Sequence, residues 1–293
     1  MRMLDAAYTL FPDPFRALVA SIGLVLLLAV ASACAGGDDD DDDSSDNDSD
    51  AAADIWRPAP GTTWQWQLSG AIDESFDVEM YDIDLFDVPG QMMQALRDSG
   101  RVVICYFSAG SLEDWREDAS QFPEEALGNN LDGWEGERWL DVTNAAVREI
   151  MLARLDVAVV KGCDGVEPDN VDGYDNDNGL GLTESDQIDY NRFLADAAHA
   201  RGLSIGLKND MGQIDDLRDD FDWALNEECH AYDECGAYAD FLAAGKAVFN
   251  AEYVDDWPDA PALAEDICGT FPDLSTIVKE WDLTARRLSC DAV

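Results

Sequence analysis

Between residues 62 and 280 the chain returns again and again to one device: a short β-rich run that stops on polar residues, usually followed by a helical pattern. The runs are TWQWQL (63–68), VEMYDID (78–84), RVVICYFSAG (101–110), RWLDV (138–142), GVEPD (165–169), LSIGLKND (203–210), DWALNEE (222–228), AVFNAEY (247–253) and STIVKE (275–280). Between them lie PGQMMQALRDSG, TNAAVREIMLARLDVAVVKG and TESDQIDYNRFLADAAHARG. In the last of these Thr183 can cap, Asp186 sits three residues on, and Gly202 closes the segment. Strands separated by helices cannot pair as hairpins, so the alternation predicts a parallel sheet with helical crossovers. Nine such strands fit an α/β (β/α)₈ TIM-type barrel better than a sandwich. A doubly wound open sheet is the structural alternative, but the sequence holds no G-x-G-x-x-G or G-x-x-x-x-G-K-[ST] stretch.

In a barrel the active site is built at the C-terminal ends of the strands. Those ends carry Asp82 and Asp84, then Ser108 with Gly110, then Asp141. Further along come Glu167 and Asp169, with Asn170, Asp172 and Tyr174 just beyond. Lys208, Asn209 and Asp210 follow, then Asn226, Glu227 and Glu228, then Glu252 and Tyr253. Glu167 and Asp169 lie two apart, so on an extended strand they point to the same side. One polar strand end is ordinary loop chemistry. Seven of them, rich in carboxylates and amides with Trp and Tyr nearby, predict a carbohydrate site, where aromatic faces stack on sugar rings and polar groups take the hydroxyls.

The chain has 293 residues, 47% of them hydrophobic, enough for a large core, and a formal charge of -45. Nine of the acids lie between Asp38 and Asp50, leaving about -36 elsewhere. Such a surface repels nucleic acid and anionic lipid, and it favours cationic ligands or a salty environment. A rim containing Asp82, Asp84, Asp172 and Glu252 is expected to draw such cationic ligands. With His199 and His230 the only histidines and no C-x₂-C pair, a zinc site or a Ser-His-Asp triad has little support. DNDNG (175–179) fails as a calcium loop, since Asp186 occupies the twelfth position where Glu belongs. No metal or other cofactor is expected, and His199 is expected on solvated surface.

The first 54 residues read as separate from the fold. Arg2 and Arg16 precede an apolar stretch from Ala17 to Ala33, short for a membrane span and ending in small residues, as signal peptides do. ASAC is similar to a lipoprotein box that would lipidate Cys34, although Ala31 stands where Leu is usual. Simple cleavage after Ala33, or a retained anchor, are the alternatives. Residues 1–33 are therefore assigned as a signal peptide, 34–54 as a disordered Asp-rich tether, and 55–293 as the folded domain. Membrane contact is expected only through a lipid at Cys34, on a chain that is exported and either surface-anchored or secreted. Export makes the other six cysteines disulfide candidates. Cys229 and Cys235 enclose five residues, Cys268 and Cys290 flank the last strand, and elimination pairs Cys105 with Cys163.

CYFSAGSLEDWR, GCDGVEPDNVDGY, IGLKND and ALNEECHAYDEC, in that order, resemble the glycoside hydrolase family 114 barrel, the endo-α-1,4-polygalactosaminidase family. MYDIDLFD and VFNAEY are similar to further blocks of it, and the resemblance runs from about Trp64 to Glu280. It implies a TIM barrel that hydrolyses α-1,4-linked galactosamine-rich polysaccharide, with the acidic pair falling on Asp169 and Glu227. Chemistry agrees: glycosidases set one ionised carboxylate against one proton-donating carboxyl. The shorter Asp169 suits the nucleophile or base and the longer Glu227 the acid, with Lys208 and nearby amides holding them. Glu167 and Glu228 are the neighbouring candidates. A non-catalytic carbohydrate-binding barrel displayed on the cell surface is the competing reading.

Overall fold

A computed structural model describes residues 55–290; the signal peptide, Cys34 and the tether lie outside the described residues. Among the described residues twelve strands and six α-helices follow in chain order. The large sheet takes β1 (Trp64–Gln67), β2 (Met80–Asp84) and β3 (Val102–Ser108) as three parallel neighbours. Its next parallel partners are β7 (Gly165–Asp169), β8 (Ser204–Lys208), β9 (Trp223–Glu227), β10 (Val248–Tyr253) and β11 (Ser275–Lys279). Eight of the nine expected strands thus form one parallel sheet in sequence order.

The ninth does not. RWLDV becomes β6 (Glu137–Leu140), which pairs antiparallel with β4 (Ser111–Glu113) and β5 (Leu127–Asn130) in a small sheet inserted between β3 and β7. Its run is too short to report which sheet it joins, and Asp141 merely accepts from the Thr143 N–H and hydroxyl in the turn that follows. The closure also differs from an ideal barrel. Among the described residues no ladder joins β1 to β11. Instead β12 (Leu288–Ser289) pairs antiparallel with β11, and Leu283 accepts from the Leu68 and Ser69 N–H groups. The Trp64 indole reaches the Ser275 carbonyl, and Lys279 Nζ reaches those of Trp66 and Thr284.

The crossover helices begin and end as their sequences dictate. α1 (Gly90–Asp98) follows Pro89; α2 (Ala145–Lys161) is capped by the Asn144 side chain and ends on Gly162 in the left-handed region. α3 (Glu184–His199) carries the full Thr183–Asp186 capping box. α4 (Ile214–Leu217), α5 (Ala239–Ala243) and α6 (Ala260–Thr270) are shorter. His199 is not free surface: its Nε2 pairs with Asp222 at 2.9 Å. Among the described residues no helix is long and apolar enough to cross a membrane.

Strand alternation divides the side chains between two cores. Tyr81, Ile83, Val103, Phe107, Val166 and Leu207 face the helices. The opposite parity fills the barrel: Trp64, Trp66, Met80, Ile104, Trp223, Leu225, Phe249 and Ile277 form one apolar cluster. Gly206 belongs to that interior, where a Cβ would stand 2.3 Å from the Trp223 ring. Further along the same inward parity the residues change character, to Asp82, Glu167, Asp169, Lys208, Glu227 and Lys279. Three disulfides, Cys105–Cys163, Cys229–Cys235 and Cys268–Cys290, join the expected partners.

Candidate active site

The C-terminal strand ends open into a cavity of about 440 Å³ whose lining includes Asp169, Lys208, Glu227, Tyr106, Trp66 and Glu137. Lys208 is its centre. The side chain is buried, and its ammonium contacts Glu167 Oε1 at 3.0 Å, Asp169 Oδ1 at 3.2 Å and Glu227 Oε2 at 3.1 Å, over the Trp66 ring. Burial alone would pull a lysine's pKa down; Asp169, Glu167 and Glu227 outweigh that and hold it raised, so the lysine stays charged.

Asp169 accepts from the Tyr106 hydroxyl at 3.0 Å and from the Asn170 N–H at 2.8 Å. Its carbonyl takes the Ala109 and Gly110 N–H groups, locking the end of β7 against the end of β3. That approach requires glycine at 110, because a Cβ there would lie 1.6 Å from the Asn170 carbonyl oxygen. Glu227 accepts from Asn209 Nδ2 at 3.2 Å and from the Tyr253 hydroxyl. Tyr253 in turn stacks on Trp281, ring centres 4.1 Å apart. Asn170, Asn209 and Glu228 each follow a strand end directly, Asp210 comes next after Asn209, and all four have positive φ, so three consecutive strands leave the barrel through left-handed turns at the site.

Beneath the cavity Glu167 accepts from the Trp66 indole at 3.0 Å, and burial carries its pKa up to about 7 against the pull of Lys208. Asp82 beside it is wholly buried and is likewise raised, by burial and then by Glu167. Asp172 lines the cavity and is raised to about 6 by burial and by Asp169.

The expected site residues therefore separate into groups. Asp84, Asn170, Asp172, Lys208 and Asn209 line the cavity with the acidic pair, and Glu167, Asp82 and Tyr253 support it from behind. Asp84 has little to offer a ligand, since Arg116 takes both its oxygens at 2.7 and 3.1 Å. Ser108 is buried against Ser111 and under the Asn170 amide. Asp210 and Tyr174 lie outside the lining; Asp210 accepts from Asn191 at 3.0 Å. Asn226, Glu228 and Glu252 fall on the other strand parity: Asn226 bonds Asn209, and Glu252 is buried, receiving the His230 and Ala231 N–H groups. An acidic rim built from Asp82, Asp84 and Glu252 is thus corrected, because all three are buried.

Sequence reading missed Tyr106, Glu137, Arg116 and the aromatic rim of Trp115, Trp134 and Trp281, each more than half exposed. Parity could have found Tyr106, two residues before Ser108. Glu137 carried no such signal, since it enters from the inserted sheet; its carboxyl accepts from Ser111 at 2.6 Å and burial pushes it up to about 7. A more open groove of about 960 Å³ continues from the cavity, sharing Leu131, Trp134, Asn170 and Asp172 with it. The only grouping of metal-type side chains among the described residues is Cys229, Cys235 and Glu252, and its two sulfurs are already joined to each other.

The cavity thus holds a buried ammonium between two carboxylates, with aromatic rings around it, and comparison with known proteins identifies the family. Residues 45–293 match the model of glycoside-hydrolase family GH114. The crystal structure of Aspergillus fumigatus Ega3 in complex with galactosamine is 47% identical, with 80% of this chain and 97% of that one covered and a TM-score of 0.76. The glycoside hydrolase domain of PelA from Pseudomonas aeruginosa shares the fold at 14% identity, covering 78% of this chain and 98% of that one, TM-score 0.62. No curated protein sequence matches. The chain belongs to glycoside-hydrolase family GH114.

Proposed function

We propose that this hydrolase cleaves α-1,4-linked galactosamine-rich polysaccharide, with Asp169 as nucleophile and Glu227 as general acid and base. The observation that carries the reading is the single Lys208 nitrogen in contact with both carboxylates at the cavity floor. One nitrogen touching both caps the separation of those two oxygens at about 6.3 Å, the sum of its two contacts. That favours the about 5–5.5 Å of retaining enzymes over the about 6.5–9.5 Å that leaves room for a water. Asp169 then attacks the anomeric carbon while Glu227 gives its proton to the departing oxygen. In the second half Glu227 takes a proton from water as that water displaces Asp169, restoring both groups.

The cavity supports a cationic substrate. Its two lining cations are engaged, Lys208 by three acids and Arg116 by Asp84, Glu113 and Asp87, which leaves Glu137, Asp172 and Asp282 to meet ammonium groups. The galactosamine bound to Ega3 points the same way. Three disulfides fit an exported chain, held through Cys34 or released. The test is incubation with acetylated and deacetylated polygalactosamine, polyglucosamine and neutral galactan, reading oligosaccharide release. Oligosaccharides should appear from polygalactosamine, and turnover of the deacetylated polymer should fall more steeply with salt, since exposed charges are screened beyond about 8–10 Å. Release from neutral galactan alone would overturn the substrate assignment.

A further inference from the structure

Asp82 presents an unusual situation. It sits in the middle of β2, with Trp66 and Ile104 as its register partners on either side, and it is 0% exposed. Among the described residues neither of its oxygens has an N–H or hydroxyl donor. What it does meet, within hydrogen-bonding reach, is the carboxyl of Glu167. Two ionised carboxylates cannot share such a contact in a dry interior, whereas one proton between them turns repulsion into a short, strong hydrogen bond. The Glu167 oxygens already serve as acceptors, one for the Trp66 indole and one for Lys208. The proton therefore belongs on Asp82.

The count of charges leads to the same place. Around Lys208 stand Glu167 and Asp169 of β7, Glu227 of β9 and, behind Glu167, Asp82 of β2; β3 and β10 contribute the hydroxyls of Tyr106 and Tyr253. Among the described strand residues Lys279 of β11 is the other inward cation, and its nitrogen is committed to the Trp66 and Thr284 carbonyls. Four carboxyls thus answer to the Lys208 ammonium.

We propose that Asp82 is a neutral acid that donates its proton to Glu167, and that this acid pair holds Lys208 at the midpoint between Asp169 and Glu227, making Asp82 a positioning residue for the reaction. An ionised Asp82 would add a second charge behind Glu167 and draw the ammonium down into the barrel, away from the pair it bridges. The inference rests on the catalytic roles proposed above for Asp169 and Glu227.

Two measurements test it. The first needs no substrate: infrared difference spectroscopy of protein carrying ¹³C at the aspartate carboxyls, in an Asp210→Asn background. That background is needed because Asp210 is itself pushed up to about 8 by burial. A ¹³C-shifted carboxylic acid carbonyl band should survive at about pH 8, where Asp172, raised only to about 6, is ionised. Absence of the band overturns the proposal even if Asp82 variants fail to fold. The second is kinetic. Asp82→Ala should lower kcat by about 10- to 100-fold with little change in KM, as expected when reacting groups are displaced by a fraction of an ångström. Asp82→Asn, whose amide can still donate to Glu167, should recover most of that loss and keep the wild-type pH profile. A folded Asp82→Asn as impaired as Asp82→Ala, or with a shifted profile, means that Asp82 acts as an anion and sinks the idea. A missing band with active, pair-dependent enzyme rejects this inference alone; a present band with inactive protein rejects the proposed function alone.

Discussion

The two halves of the barrel interior stand on the same eight strands and the same inward parity, yet they are built from opposite materials. Toward the strand N-termini Trp64, Trp223 and Phe249 pack ring against ring beside Met80, with the Phe249 ring centre 4.9 Å from Trp64 and 5.4 Å from Trp223. Toward the C-termini, within two to four residues on each strand, the side chains become Asp82, Glu167, Lys208, Asp169 and Glu227. The first half gains stability by removing aromatic surface from water. The second costs stability, because buried charges are compensated only by one another, and it is retained for chemistry. What separates them is therefore which quantity a mutation should move.

The largest effect belongs to the charged half. Asp169→Asn and Glu227→Gln should each lower hydrolysis by about 10²–10⁴-fold or more while the melting temperature stays near that of the wild type. Glu227→Gln should still turn over substrates with good leaving groups, and Asp169→Asn should not. Near-normal activity in either variant would remove that residue from the mechanism and break the comparison.

Phe249→Ala is the mirror case. It empties the space between Trp64 and Trp223, and denaturant unfolding should show a loss of about 3–5 kcal/mol, with the turnover of the remaining folded protein little changed. A large fall in turnover at unchanged stability would mean that the aromatic layer shapes the site directly.

A subtler separation comes from pH. Burial raises Glu137 from 4.5 to about 7, and Glu167 shifts in the same direction. A carboxyl with a raised folded-state pKa adds stability that is complete below the unfolded value and lost as pH rises through the folded one. Melting temperature should accordingly fall between about pH 5 and about pH 8, and Glu137→Gln should reduce that fall. Lys279, lowered to about 7 by burial, works in the opposite sense, its contribution being lost as pH falls through that value. An identical pH slope in Glu137→Gln would show that the carboxyl is not strained by its burial.

The smallest expected effect concerns the turns that leave the charged half. Glu228 holds φ +63, a conformation glycine adopts freely. Glu228→Gly should raise stability by about 1 kcal/mol and leave the acidic pair in place; a loss of stability would show that the Glu228 side chain is itself needed.

Much of this molecule was readable from residue order. Eight of the nine expected strands form the parallel sheet, Thr183 and Asp186 cap α3, and the three cysteine pairs meet, because these rest on local periodicity, capping chemistry, a short closure at Cys229–Cys235 and elimination for Cys105–Cys163. The two-residue step from Glu167 to Asp169 likewise placed both on the barrel side. Other features were decided only by the folded chain. RWLDV joined an inserted antiparallel sheet and brought Glu137 to the cavity, and segment 283–289 bridged the ends of the large sheet. Glu252, a strand-end acid like Glu227, turned outward to cap backbone N–H groups, since adjacent parity sends neighbouring residues to opposite faces. Lys208 could be named from sequence, but its three-way contact could not, because β7, β8 and β9 meet only when their crossovers have packed. Local rules act over a few residues and are written in the sequence; the distances that make carboxylates into a site are set by packing between strands tens of residues apart.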